Sequence, residues 1–487
     1  MTTTNPAMAL GAVAAILVAS GCTVGPKYRK PDVPALPAFK EPLPEGWKQA
    51  EPGDGKIPGK WWEMYNDPRL NALEEQVAIS NQNVIAFEAQ YREAKAAVRI
   101  ARSALFPTVT ATPSITHSRV NSGSTSGGGA NASRTVYSFP ADLSWEADVW
   151  GSVRRSVNAA SAQAQATAAD LANATLSYQS ELAQDYFLLH GVDGDIDLLQ
   201  RTVDLYRDYL KLTHDRFAAG VTSDLDVAQA ESQLETAEAQ MISLGVARAQ
   251  YEHAIAVLTG KPPAAVSISA MVLKSAPPQV PVAIPSALLE RRPDIAAQER
   301  LVAEANEQIG IAKAAFFPAV ALAASAGFQS SNFTTWLSWP SRFFSIGPTL
   351  AETVFDAGKR RATVAQFQAA YDATVAAYRQ TVLTSFQQVE DALAAERILQ
   401  EQSVPVDQSV TSAQRALDLS TAQYKAGTAD YLTVITAQST LLSAQRTQVD
   451  LLTTRLTASV QLVVSLGGGW DVSLLPNTQD VRTGPLK

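Results

Sequence analysis

Phe217-Ala218-Ala219-Gly220, followed by Leu225, Val227, Ala230, Leu234 and Ala237, returns later in the chain as Tyr424-Lys425-Ala426-Gly427, followed by Leu432, Val434, Ala437, Leu441 and Ala444. The offset from Gly220 to Gly427, 207 residues, also joins Gly260 to Gly467, Gly151 to Gly358 and Arg154 to Arg361. A second block agrees at 211, where Val84, Ala94, Ile100, Phe106 and Pro107 match Ile295, Ala305, Ile311, Phe317 and Pro318. The 487-residue chain is therefore a tandem duplication, with a repeat far longer than a solenoid unit. Length alone suggests about three domains; the duplication replaces that expectation with one elongated architecture used twice.

Each copy reads as short helix, strand pair, long helix, short helix. Pro68 to Leu105 predicts one helix, with Asp67 as N-cap before Pro68, and Phe106-Pro107 ends it. Alternation then takes over. Tyr137, Phe139, Ala141, Leu143, Trp145, Ala147 and Val149 fall on one face, and Ser138, Asp142, Ser144, Glu146 and Asp148 on the other. Val109, Ala111 and Ile115 alternate with Thr110, Thr112 and Thr116 in the partner strand, and the Gly, Ser and Asn loop at 119–134 is expected to be exposed and mobile. In the second copy Val320, Leu322, Ala324, Ala326 and Phe328 alternate, and an aromatic loop through Trp336 and Trp339 leads to Phe344, Ile346 and Leu350. Strands of about 10 residues suit a tilted membrane crossing with apolar faces toward lipid and polar faces toward a water-filled lumen. A soluble hairpin with one buried face is the alternative for any single pair.

The helices favour the membrane reading. From Ser152 to about Arg216 only Gly191 and Gly194 interrupt a helical pattern. About 60 residues at ~1.5 Å each make a rod of roughly 90–100 Å, which a globular domain of this size does not need. Its apolar stripe is narrow and Ala-rich, predicting helices seamed side by side rather than one thick core. Asp193-Gly194-Asp195-Ile196-Asp197 is expected to mark a local irregularity in that helix, since it lacks the glutamate of a calcium loop. The expected organisation is a leader at 1–21, an extended N-terminal segment at 22–67, repeat 1 at 68–263 (strand pair 107–149, long helix 152–216, short helix 223–259), a Pro-rich linker at 264–287, repeat 2 at 288–470 (strand pair 318–355, long helix 358–423, short helix 429–466) and a tail at 471–487.

Composition narrows function by exclusion. A net charge of -8 with no Lys/Arg cluster argues against nucleic acid. His117, His190, His214 and His253 form no i, i+4 zinc pair, and no phosphate loop, nucleophile elbow or dinucleotide fingerprint occurs. The expectation is a non-enzyme without cofactor or metal. The one cysteine, Cys22, follows an uncharged run from Ala7 to Ala19, too short for a spanning helix and suited to a secretory signal core. Leu17-Val18-Ala19-Ser20-Gly21-Cys22 resembles a bacterial lipobox, with Ala19 standing where Leu is usual, which makes Cys22 the lipidation site; Thr23 after it favours sorting to the outer membrane.

Taken in order, Cys22-Thr23-Val24-Gly25-Pro26-Lys27-Tyr28, Trp61-Trp62 ahead of Asp67-Pro68-Arg69-Leu70, Arg291-Arg292-Pro293-Asp294-Ile295 leading to Ala314-Ala315-Phe316-Phe317-Pro318, and Leu466-Gly467-Gly468-Gly469-Trp470 resemble the outer membrane factor (TolC-like) family, in its lipoprotein branch serving resistance-nodulation-division efflux pumps. The resemblance implies a mainly α chain with a transmembrane β-barrel: a homotrimer pooling strands into a 12-stranded barrel, continued by a periplasmic α-helical barrel. It implies a passive conduit for drugs or other small toxic compounds, lipid-anchored in the outer membrane, working with a periplasmic adaptor and an inner-membrane pump. A duct for metal-ion efflux or type I protein secretion is the nearest alternative, and a periplasmic coiled-coil structural lipoprotein the alternative of another class.

Two helix turns are legible, Ala219-Gly220-Val221-Thr222-Ser223-Asp224 and Ala426-Gly427-Thr428-Ala429-Asp430, in which Gly supplies a left-handed stop and Thr, Ser or Asp caps the next helix. The resemblance assigns Gly220, Val221, Thr222, Ser223, Gly427 and Thr428 to adaptor contact. It also implies a constriction of a Leu ring and an acidic ring one turn apart on the last helix. Leu432 matches the first, but Thr436 stands at the acidic position and Ser439 replaces a basic residue, leaving Asp430, Asp224 and Asp226 as the nearby acidic candidates.

Overall fold

The computed structural model describes residues 23–33, 38–44, 59–120, 132–282, 285 and 288–484. The leader, Cys22 and the Gly-rich stretch 121–131 lie outside these residues.

After a short turn at Trp61–Tyr65, the first copy contains α1 (Pro68–Ser80), α2 (Gln82–Ser103), β1 (Thr108–Ala111), β2 (Ser114–Val120), β3 (Ala132–Ala147), α3 (Ser152–Ala218) and α4 (Asp224–Leu258). The second contains α5 (Leu288–Arg291), α6 (Pro293–Ala314), β4 (Ala319–Ser330), β5 (Arg342–Ala351), α7 (Lys359–Lys425) and α8 (Tyr431–Ser465), and α9 (Thr478–Thr483) follows. Asp67 caps α1 as expected, accepting the Arg69 and Leu70 N–H groups. The single helix expected over 68–105 is broken, however. Asn81 adopts an extended conformation, accepts the Asn83 and Val84 N–H groups, and donates its Nδ2 to the Leu258 carbonyl at 2.9 Å. A contact with α4 thus fixes a break that local propensity leaves open.

The long helices are 67 residues each, about 100 Å at ~1.5 Å per residue. A left-handed glycine precedes each, Gly151 (φ 81) and Gly358 (φ 88). Asp148 then accepts the Val153 and Arg154 N–H groups, and Asp356 those of Gly358 and Arg360, so a carboxylate closes each strand-to-helix corner. The irregularity expected at Asp193–Asp197 is absent, because α3 runs through it unbroken. Its glycines serve packing instead: a Cβ on Gly191 would meet Thr453 Oγ1 of α8 at 2.5 Å.

The narrow-stripe expectation also needs correction. α3 packs against α2, α4, α6 and α8 and buries thirty residues, whereas α7 packs against α6 and α8 and buries twelve. One large apolar cluster lies at mid-length, joining Trp61, Leu70, Leu182, Tyr186, Leu258, Val302, Tyr378 and Val460. Segments outside the repeats thicken it. Val280 and Val282 of the linker are buried, and Tyr65 donates or accepts a 2.7 Å hydrogen bond with Ser459. The N-terminal segment runs along the second copy, where Lys40 and Glu41 N–H groups reach the Glu390 carboxylate at 2.7 and 2.9 Å and Arg397 pairs with Glu41 at 3.1 Å.

All strands join one antiparallel sheet, β1 and β2 against β3, then β4, then β5. The β1 and β2 registers against β3 are continuous and Thr112 N–H donates to Pro140, so β1–β2 acts as one strand and the described residues supply four.

Candidate functional site

Three regions carry the sequence-derived candidates. In the sheet, cross-strand partners keep faces matched: Leu143 pairs with Val109 and Ala324, Trp145 with Leu322, and Ala324 and Val320 with Ile346 and Leu350. One face is apolar and uncovered, with Phe344 82% and Ile346 and Leu350 each 70% exposed. The other presents Ser138, Asp142, Ser144 and Glu146 beside Gln329, Ser325 and Ser345. Both outer strands, β1–β2 and β5, leave an unpaired edge. Buried in lipid, each unpaired backbone group costs several kcal/mol, about 2–7 on transfer scales.

The second region is the far end of the helices. In both turns the glycine is left-handed, Gly220 at φ 73 and Gly427 at φ 76, and matching bonds close the helix: Val221 N–H to the Arg216 carbonyl at 2.9 Å and Thr428 N–H to Gln423 at 3.0 Å. Ser223 and Asp226 form a reciprocal capping box, and the Thr222 hydroxyl also donates to Asp226. Asp430 caps α8, accepting the Thr433 hydroxyl at 2.6 Å and its N–H at 3.1 Å; these bonds hold its carboxyl below the usual carboxylate range. Asp226 and Asp430 are thus occupied as caps, while Asp224 is exposed and has no hydrogen-bond partner among the described residues.

The two turns, distant in sequence, line one open cleft that brings Gly220, Val221, Thr222, Ser223 and Asp226 together with Gly427 and Asp430. The sequence did not point to what joins them. Arg216 places its guanidinium 4.6 Å over the Tyr424 ring and donates to the Tyr424 carbonyl at 3.2 Å, and the Tyr424 ring meets that of Tyr431 at a tilt of 48° with centroids 5.4 Å apart. Gln423 stands where the second copy would repeat Arg216, so comparing the copies conceals this link. Among the described residues Thr428 bonds only within its own turn, to Gln423. Leu432 is exposed, and Thr436 lies one turn on, its hydroxyl donating to the Leu432 carbonyl at 2.9 Å.

The third region is the corner between sheet and helices. Val24 N–H donates to the Trp150 carbonyl at 3.1 Å, and Arg155, itself buried, donates to the carbonyls of Val24 and Pro26 while pairing with Glu307 at 2.8 Å. Gly25, at φ 111, sits where a Cβ would lie 2.7 Å from Gly310 Cα. Thr23, next to Cys22 in sequence, packs on Gly151. Among the described residues no group of three or more His, Cys, Asp or Glu is placed to hold a metal, and no helix is long and apolar enough to cross a membrane.

Known proteins show the same design. The chain is 30% identical over 465 residues to the solvent efflux pump outer membrane protein SrpC of Pseudomonas putida, covering 94% of this chain and 98% of that one. It is 30% identical over 434 residues to the pyoverdine export outer membrane protein OpmQ of Pseudomonas aeruginosa, covering 88% and 91%. The solved outer-membrane channel OprN superposes with a TM-score of 0.85 at 30% identity over 92% of this chain and 100% of that one. The family described as outer membrane efflux protein matches residues 73–261 and 284–468, one stretch in each copy, and the chain belongs to that family.

Proposed function

We propose that three copies of this chain form the outer-membrane duct of a tripartite efflux pump, passing drugs or other small toxic compounds from the periplasm to the exterior with a periplasmic adaptor and an inner-membrane pump of the resistance-nodulation-division class. The observation that carries this reading is the four-stranded sheet, apolar and uncovered on one face and open at both edges. One chain cannot close it, while several sharing a wall satisfy every edge and leave the polar face around water. The chain's role is conduction, not catalysis. Its relatives are named for unlike cargoes, solvent in one and pyoverdine in another, as suits a conduit that leaves selection to the pump.

The site residues take their roles from this arrangement. Cys22 carries the lipid that holds the chain's head at the outer membrane, and Thr23 and Val24, clasped by Gly151, Trp150 and Arg155, place that head at the sheet-to-helix corner. Gly220, Val221, Thr222, Ser223, Gly427 and Thr428 meet the adaptor. Leu432 narrows the tip, and Asp224, the candidate carboxylate not used as a cap, draws cations to it.

Single-channel recording in planar bilayers tests the reading. The purified wild type conducts little, and Leu432→Ser or Arg216→Ala, which loosens the Arg216–Tyr424 link, raises conductance several-fold. A monomer after gentle extraction, or trimers that stay impermeable with both substitutions, sinks it.

A further inference from the structure

The two stretches of sequence that join strands within each copy, β2 to β3 and β4 to β5, differ in chemistry. The first, at 121–131, is built of Asn, Ser, Thr, Gly and Ala. The second joins β4 to β5 and reads Ser331-Asn332-Phe333-Thr334-Thr335-Trp336-Leu337-Ser338-Trp339-Pro340-Ser341. It closes on its own polar groups: Asn332 Oδ1 accepts the Thr334 N–H at 3.0 Å, and the Ser338 and Ser341 hydroxyls donate to the Thr335 carbonyl at 2.6 and 2.7 Å. With these polar groups bonded to one another, the loop leaves Phe333, Leu337 and Trp339 exposed. In water these side chains are a liability; at the boundary of acyl chains and headgroups they are favoured.

Arg342 begins β5. It pairs across the sheet with Phe328, which pairs with Phe139, and so shares the apolar face with Phe344 and Ile346. Its guanidinium lies 4.1 Å from the Trp339 ring centroid. It makes no ion pair among the described residues, and neither 319–351 nor 112–141 contains an Asp or Glu. The sheet's carboxylates are Asp142, on the opposite, polar face, and Glu146, near the helices, and Asp148, Glu352 and Asp356 follow where the strands end toward the helices. Between Arg342 and Glu352 runs an uncharged stretch, roughly 30 Å of strand at ~3.3 Å per residue, or about 25 Å of height at a ~40° tilt. That is the height of an outer-membrane barrel's apolar band. Arg342 therefore stands at the outer rim, steadied by an indole, with a fork of donors and no protein anion to meet it.

A guanidinium fork matches a phosphate in bidentate fashion. We propose that the 331–342 loop docks the phosphate of outer-leaflet glycolipid, lipid A, with Phe333, Leu337 and Trp339 seated at the acyl boundary and Arg342 bonded to the phosphate. This rests on the reading of the sheet as part of an outer-membrane barrel. A loop so held anchors the rim to the least mobile lipid layer.

The test uses the full-length protein in uncharged detergent, titrated with diphosphoryl lipid A, the same lipid A stripped of phosphate, and phosphatidylglycerol, with binding read by native mass spectrometry. Diphosphoryl lipid A binds about tenfold tighter than the other two, and Arg342→Gln removes about that factor while Arg342→Lys restores part of it. Trp339→Leu weakens the preference without moving charge, and serves if the arginine variants fail to assemble. Equal binding with and without phosphate, phosphatidylglycerol binding as tightly as lipid A, or an unaffected Arg342→Gln overturns the proposal. Bilayer conductance is recorded on the same samples: conducting trimers without the phosphate preference refute this site alone, whereas a chain that never conducts refutes the channel reading beneath it.

Discussion

The middles of the two long helices are copies that have taken opposite characters. In α3, residues 190–205 bury His190, Asp193, Leu198, Leu199, Thr202 and Val203 among others. Asp193 accepts from His190 at 2.8 Å, Arg248 at 2.8 Å and the Met271 N–H at 3.1 Å, and Arg248 also donates to the Ile268 carbonyl, so α3, α4 and the linker are bound together. Burial alone would raise the Asp193 carboxyl, but the bonds from His190, Met271 and Arg248 hold it below the usual carboxylate range. The matching stretch of α7, 397–412, contains no buried residue, and Pro405 stands where α3 has Leu198. Proline removes one hydrogen bond and crowds the Glu401 carbonyl, at about 3 kcal/mol. An open groove between α7 and α8 begins at Pro405 and is lined by Thr436, Ser439 and Ser443. Duplication thus supplied two rods of equal length, one covered by its neighbours at its middle and the other bare there.

Exchanging the two residues breaks this contrast most strongly. Leu198→Pro is expected to destabilise by about 5 kcal/mol, combining the lost backbone bond with a lost buried side chain. Pro405→Leu is expected to stabilise by roughly 1–2 kcal/mol. Thermal unfolding followed by circular dichroism reads both, and similar small shifts at the two sites would mean that the middles are alike. Asp193→Ala comes next, at about 3 kcal/mol, since it strands Arg248 and His190. Protease cleavage within 264–282 under native conditions should become fast, and a linker that stays protected would show that the ionic network does not hold it.

The smallest effect sharpens the comparison at its border. Burial pushes the Glu396 carboxyl of α7 up to about 7 from its ordinary 4.5, so the folded chain favours the protonated form. Its contribution is therefore fully present below about pH 4.5 and is lost as pH rises through about 7, with a bound on the order of 3 kcal/mol. Glu396→Gln, neutral throughout, should gain on the wild type in unfolding temperature between about pH 5 and pH 8. A difference independent of pH would place the proton elsewhere.

Much of the fold was legible because its signals are local or repeated. Strand alternation gave the correct faces, and the glycine-then-cap pattern located both tip turns. The break at Asn81 was hidden because its decisive bond goes to Leu258, far along the chain. The width of the core was hidden too, since the Trp61–Tyr65 turn and the linker that thicken it belong to neither copy. Pro405 is visible in the sequence, yet helix continues on both sides and only the bare surroundings give it meaning. At the tip, Arg216 acts through a tyrosine of the other copy, a pairing that no spacing announces.

The N-terminal segment carries one more consequence, for the order of events. Its residues bond Arg155 in the first copy, Glu299 in the second and Glu390 well beyond it. Such contacts, hundreds of residues apart, close late in folding because loop entropy must be met first. The segment at 23–41 is therefore among the last parts of the fold to settle, a strap that stays free until both halves stand ready to receive it.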